Sequence, residues 1–381
     1  VSRLSLTAEP VSLSEKMAQV GFILPLIVLG TAAVGFIALY SAAGGSIDPW
    51  ANRQMVRFAV GFIAMLAIAM VDIRFWLQAA YPLYWVTMGL LFAVDVFGSI
   101  GMGAQRWLDL GFFQLQPSEL MKIVLVLALA RYFHRLSLEE VARPLSLVVP
   151  ILMVLAPTAL VVVQPDLGNA LILLMLGGAI FFIAGVRWWK FGIVLGALGA
   201  AVPIGWEFLR EYQRNRILTF LDPSRDPLGA GYHIIQSKIA LGSGGVSGKG
   251  FLLGTQSHLQ FLPEAQTDFI FTLIAEEWGL IGGLVVIGLY AALIGYGIAV
   301  GLRCRHHFGR FLAVGLSTNL FLYVFINMAM VMGVIPAKGV PLPLISYGGT
   351  AMLTVLFGFG LLLSVLVHKD AKLSKSALGP D

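Results

Sequence analysis

Long apolar runs broken by short polar stretches make up nearly the whole chain. A membrane-spanning helix needs about 20 mostly apolar residues. Ten runs are candidates, at roughly 20–43, 55–71, 80–100, 117–133, 145–163, 167–186, 189–206, 268–300, 311–335 and 347–367. The second and fourth are short, and the eighth is long enough to tilt or to project beyond the bilayer. The pattern predicts an all-α polytopic membrane protein with about ten transmembrane helices, read as a single domain over 1–381. Tails at 1–19 and 368–381 flank it, and one large loop, 207–267, joins helices seven and eight. Within that loop the run GAGYHIIQSKIA, Gly229 to Ala240, predicts a short helix lying on the membrane surface. No clean internal repeat is visible, which speaks against an inverted-repeat transporter.

Composition sharpens the class. The 381 residues are 58% hydrophobic and 12% charged, with mean hydropathy +0.88. A soluble domain carries about 25% charged residues, so a soluble core is excluded. The first run, Val20 to Ala43, exceeds the core of a signal peptide and is read as a retained helix. The lone Cys304 excludes an intrachain disulfide framework.

The net charge of +5 would point weakly to nucleic acid in a soluble protein. Here loop asymmetry explains it, and no nucleic-acid partner is expected. Arg3, Lys16, Arg74, Arg131, Arg135, Arg143, Arg187, Lys190, Arg303, Arg305, Arg310, Lys369, Lys372 and Lys375 fall on one side. The short loops of the other side hold Arg53, Arg57, Arg106 and Lys338. By the positive-inside rule both termini are cytoplasmic and the loop 207–267 lies outside.

The chemistry collects on that outer side. From Gly242 to Gly279 a glycine-rich loop with Lys249 leads into Ser257 and His258, then Pro263 and Glu264, and Thr267-Asp268 open an apolar helix. An ionisable residue where a helix enters lipid is a functional candidate, and Asp268 is the first of them. The competing reading is that Thr267 or Asp268 caps the helix. Arg106 sits after the third helix, and Gln116, Glu119 and Lys122 open the fourth. Glu119 and Lys122, at i and i+3, share a face. They form either a structural ion pair or part of a cationic pocket for an anionic head group. Asp166 lies in the turn Gln164–Gly168 and fits an N-cap. Lys338 and Ser346 lie in the last outer loop, rich in proline and glycine.

Several chemistries drop out. The loop Gly242–Gly250 fails as a Walker A motif, because Ser243 stands where glycine is needed and Gly250 where Ser or Thr is needed. No HExxH or Cys/His zinc spacing and no GxSxG elbow occurs. His306-His307 reads as a solvated cluster in an inner basic loop.

The segments QPSELMK, QPDLG, DPLGAGYH, GTQSHLQFLPE, TDFIF, AEEWG and PLPLISYGG run in order over nearly the whole chain. In them the sequence resembles the SEDS family (shape, elongation, division and sporulation), and its RodA-like elongation branch more than its division branch. The resemblance implies a peptidoglycan glycosyltransferase of the bacterial cytoplasmic (inner) membrane. Such proteins polymerise lipid II, a disaccharide-pentapeptide on undecaprenyl pyrophosphate, at the outer face during elongation and shape maintenance. It also implies a class B penicillin-binding protein as partner, in a setting of membrane lipids. By motif, Asp268 corresponds to the family's catalytic aspartate, and Arg106, Glu119, Lys122 and Asp166 to its other polar positions. Gln266 stands where the family often has His, which speaks against a proton relay there.

The reaction sets expectations for the residues. Asp268, partly desolvated, acts as general base with a raised pKa. Arg106 and Lys122, with Arg53 or Arg210, stabilise the leaving pyrophosphate. A divalent cation, Mg2+ or Mn2+, bridging Asp268 or Glu119 to the pyrophosphate is a further expectation, although no protein-only metal cage is evident. A lipid II flippase and a non-catalytic scaffold remain as alternatives. The flippase needs polar groups through the bilayer depth, where Glu276, Glu277, Asn319 and Asn327 are the main candidates.

Overall fold

The computed structural model describes residues 20–101, 104–109, 111, 114–208, 211–222, 225, 230–258, 264–336 and 339–373. The helices are α1 (Ile23–Ala42), α2 (Trp50–Met70), α3 (Ile73–Phe97), α4 (Pro117–Arg135), α5 (Leu138–Ala142), α6 (Leu145–Val163), α7 (Leu167–Ile183), α8 (Trp188–Phe208), α9 (Glu211–Leu221), α10 (Ala230–Ser243), α11 (Thr255–His258), α12 (Ile270–Arg303), α13 (His307–Val331) and α14 (Gly349–Val367). Local chemistry starts several of them. Asp72 accepts from Arg74 N (2.8 Å) ahead of α3, and Ser137 and Glu140 form a capping box on α5. Asp166 accepts from Asn169 N (3.2 Å) at the start of α7, as its sequence position predicts.

The chain is an all-α polytopic membrane protein, but the count of ten spans is not exact. Among the described residues, seven helices are long and apolar enough to cross a membrane: α1, α2, α3, α6, α12, α13 and α14. The other three expected spans are helical yet differ. α7 has 17 residues and the apolar part of α8 covers Trp188–Ala201. α4 carries Glu119, Lys122, Arg131 and Arg135. It can do so because it is the central helix, with almost every side chain from Pro117 to His134 buried against protein. Its polar groups therefore meet partners inside the bundle instead of lipid. α3, α7 and α13 pack around α4, α14 runs along α2, and α12 lies against α13 and α1.

A small antiparallel sheet, absent from the sequence reading, fills the connection from α3 to α4. Its strands β1 (Ser99–Gly101), β2 (Ala104–Asp109) and β3 (Gln114–Leu115) lie in that order. Leu108 pairs with Leu115 and Asp109 with Gln114. Thr350 Oγ1 donates to Gln114 O (2.7 Å), which ties the sheet to the start of α14.

The segment expected to lie on the membrane surface does form α10, but it packs on the bundle. Ile234, Ser237 and Ala240 are buried, and Ser237 Oγ donates to Val331 O (2.8 Å) and shares a hydrogen bond with Thr272 Oγ1 (2.9 Å). The glycine-rich loop also has a structural task. α12 breaks at Gly279 (φ 67°, ψ −159°), which strands main-chain groups on both sides. The loop takes them up: Lys249 N and Gly250 N donate to the carbonyls of Glu276 and Glu277 (3.0 Å each), and Leu280 N donates to Gly245 O (2.9 Å). A Cβ at Gly244 or Gly248 would lie 2.0 Å from a carbonyl oxygen of α12, so only glycine permits this approach.

Candidate functional site

Asp268 lies in the turn that precedes α12, outside the spanning helix. The N-cap of α12 is Phe269, and no side chain caps it. Neither Thr267 nor Asp268 is therefore the cap. Thr267 Oγ1 points back along the turn to Glu264, at 3.2 Å from its carbonyl and 3.3 Å from its carboxylate. Asp268 is half-buried. Burial, and then the negative charge of Glu264, push its carboxyl up to about 7.

Three consecutive carbonyls hold this turn in place. Gln266 O accepts from Tyr347 N (2.9 Å), Thr267 O from Ser346 Oγ (2.5 Å) and Asp268 O from Asn327 Nδ2 (2.9 Å). The loop before α14 thus runs beside the turn. Gly339 closes the site from that side: a Cβ there would lie 2.8 Å from Asp268 Oδ2. Gln54 of α2 anchors the loop in turn, donating to Ser346 O (2.9 Å).

A second polar network lies at the same end of the bundle. Lys122 Nζ, fully buried at 0% exposure, donates to Glu119 Oε1 and Asn169 Oδ1 (2.7 Å each) and sits 4.1 Å from the centre of the Tyr323 ring. Tyr323 OH donates to Glu119 Oε2. Asn169 Nδ2 donates to Asp166 Oδ2 (2.8 Å) and Ser118 Oγ (3.2 Å). Gln116 Nε2 reaches Asp166 Oδ2 at 3.4 Å. Arg106 completes the chain, donating to Pro165 O (2.6 Å) and approaching Asp166 at 4.0 Å. Low dielectric strengthens such a network and penalises any member left alone.

The residues singled out by sequence thus divide into groups. Arg106, Gln116, Glu119, Lys122 and Asp166 come together in one network. Asp268 and Ser346 meet in the turn above. Lys249 lies apart, its Nζ on Glu276 Oε1 (2.7 Å), where Thr255 Oγ1 and Gln256 N also donate. Glu277 accepts from Ser41 Oγ of α1. Arg53 is exposed on α2, one turn from Arg57, whose guanidinium stacks 5.1 Å from the Tyr347 ring. Ser257 and His258 fall on α11. Lys338 and Arg210 lie outside the described residues.

Asn169, Tyr323 and Gly339 were not singled out by sequence, and Asn327 entered only as a deep polar residue. One signal was available: Asn319, Tyr323 and Asn327 recur every fourth residue in an otherwise apolar helix. Among the described residues no group of three or more His, Cys, Asp or Glu is arranged to hold a metal ion. Both Glu119 oxygens are already engaged, so it does not fit the role of cation ligand.

A helical bundle carrying a half-buried carboxyl group at the mouth of one spanning helix defines the class, an all-α polytopic membrane protein. Residues 18–371 match the model of the FtsW/RodA/SpoVE group, described as cell cycle protein, and the chain belongs to that family. This is the family that the motifs resemble. The chain is 45% identical over 354 residues to the peptidoglycan glycosyltransferase MrdB of Escherichia coli K12, covering 92% of this chain and 94% of that one. It is 33% identical to stage V sporulation protein E of Bacillus subtilis, covering 93% and 98%. Among solved structures, a chain from a peptidoglycan synthase complex coordinating polymerization and crosslinking superposes with TM-score 0.81, at 36% identity and coverage of 92% and 99%. The rod shape determining protein RodA of Thermus thermophilus gives TM-score 0.70, at 29% identity and coverage of 92% and 98%.

Proposed function

We propose that this chain is a peptidoglycan glycosyltransferase that polymerises lipid II, with Asp268 as its general base. The observation that carries the assignment is the state of that carboxyl group. It is half-buried, it does not cap its helix, and burial beside Glu264 pushes its carboxyl up to about 7. A base is most effective when its pKa lies near the working pH. A sugar hydroxyl is a poor nucleophile while it keeps its proton. Asp268 takes that proton as the hydroxyl oxygen bonds to the anomeric carbon of the donor. The bond from that carbon to the pyrophosphate oxygen breaks, and undecaprenyl pyrophosphate leaves with the electron pair.

Negative charge grows on the leaving group. Of the cations expected to meet it, Lys122 is already paired with Glu119, and Arg106 is bonded to main-chain carbonyls. Arg53 presents its guanidinium at the exposed surface of α2. Asp268 and Glu264 are the residues that would hold a divalent cation, Mg2+ or Mn2+, through hard carboxylate oxygens. When bound it would neutralise phosphate charge.

The Lys/Arg asymmetry supports an outer-face site in the inner membrane with cytoplasmic termini. The likeness to a chain from a synthase complex supports a crosslinking partner, a class B penicillin-binding protein. The flippase alternative leaned on deep polar groups, but Glu276 and Glu277 are committed to Lys249 and Ser41. The test is product formation from purified lipid II by wild type and Asp268→Asn. Equal glycan from both would end the assignment.

A further inference from the structure

We infer that Asn327 is a positioning residue for Asp268, clamping its main chain to the loop that closes the site; this rests on the reading of Asp268 as the base. Asn327 is fully buried, at 0% exposure, on α13. Its two amide hydrogens go to two carbonyls, Asp268 O (2.9 Å) and Val340 O (2.7 Å). Only an NH2 group serves both, since an oxygen in its place would face two lone-pair acceptors. Its Oδ1 is buried with no hydrogen-bond partner among the described residues. A buried amide that leaves its own acceptor unmet is a poor choice for packing alone, and the two bonds it does make say what it is for.

The two clamped segments carry the two sides of one contact. Asp268 brings the carboxylate, and Gly339, next to Val340, brings a bare Cα against it. Fixing 268 to 340 therefore fixes how far the carboxylate is shielded from water. Glu264 on the same turn adds its negative charge to the carboxylate but does not make the bond that Asn327 makes. The turn keeps its bonds from Ser346 and Tyr347 when Asn327 is removed, so the clamp is local.

The experiment measures kcat and KM of glycan polymerisation by the purified full chain over a range of lipid II concentrations, for wild type, Asn327→Ala, Asn327→Ser and Asp268→Asn. Without the clamp the turn that carries the carboxylate is free to shift against the loop of Gly339. In Asn327→Ala kcat should drop about tenfold, the scale of a small misplacement of a catalytic group, while KM stays unchanged. Asn327→Ser keeps one donor and is read in the same way where the alanine variant does not fold. A wild-type kcat in the folded variants, with or without a lower melting temperature, overturns the inference. If Asp268→Asn is itself active, the base assignment fails instead, and the two failures are told apart.

Discussion

Tyr323 and Asn327 stand one helical turn apart on α13, and each holds an acidic residue at this end of the bundle. Tyr323 donates to the side chain of Glu119, and Asn327 to the main chain of Asp268. Residues at i and i+4 share a helix face, so one face of α13 joins the buried Lys122 network to the exposed turn. Tyr323→Phe tests the upper half of this link. It leaves Glu119 Oε2 buried without its donor, at a cost of about 1–3 kcal/mol. The expected result is a lower melting temperature with polymerisation reduced less than in Asp268→Asn. An unchanged melt would mean that the tyrosine hydroxyl does not support Glu119.

Asp268→Asn should separate chemistry from folding. The side chain caps nothing, so the amide should be tolerated structurally. An amide cannot accept the proton, and turnover should fall about a hundredfold or more. The readout is gel-resolved glycan from lipid II beside a thermal melt.

The raised pKa makes a second prediction, about stability. Folded Asp268 holds its proton up to about 7, whereas the unfolded carboxyl releases it near 3.8, the ordinary value of an aspartate. Between these values the folded state binds more protons, so stability falls as pH rises through that window. Melting temperatures of wild type should decline from pH 4 to pH 7 relative to Asp268→Asn. Parallel curves for the two proteins would show that Asp268 titrates normally.

Gly339→Ala probes the other wall of the site. Its Cβ would stand 2.8 Å from Asp268 Oδ2, so the carboxylate must move. A displacement of this kind costs up to about a hundredfold in rate. Polymerisation should drop at least tenfold by the same scale, with the melt retained. Wild-type kinetics would show that the carboxylate swings aside freely.

Lys249→Ala tests the splint at the break of α12. It strands Glu276, which is 0% exposed, without its cation. Removing one partner of a buried pair costs about 3–5 kcal/mol; the lower end is expected here because 26% of the lysine side chain is exposed. Adding Glu276→Gln should recover part of the loss in a thermal melt. No recovery would assign Lys249 a role other than pairing.

The apolar runs by themselves determined the helical membrane class, because lipid demands about 20 apolar residues and internal hydrogen bonds in each span. They also set Asp268 at a helix mouth, where a charge stands out against its neighbours. The motifs carried the family. What sequence left open was each polar residue's partner. Asp268 and Thr267 were equally good caps on paper, and only the bonds from Tyr347, Ser346 and Asn327 show that the turn continues past them to Phe269. Those donors lie some 60 to 80 residues away along the chain. The glycine-rich loop of Lys249 failed as a phosphate motif on paper, and the break at Gly279 supplies the reason for its glycines. α4 reads as a poor span because it carries charges, and it keeps Glu119 and Lys122 because they find partners inside the bundle; those partners are fixed by packing across helices, which no local window of sequence contains.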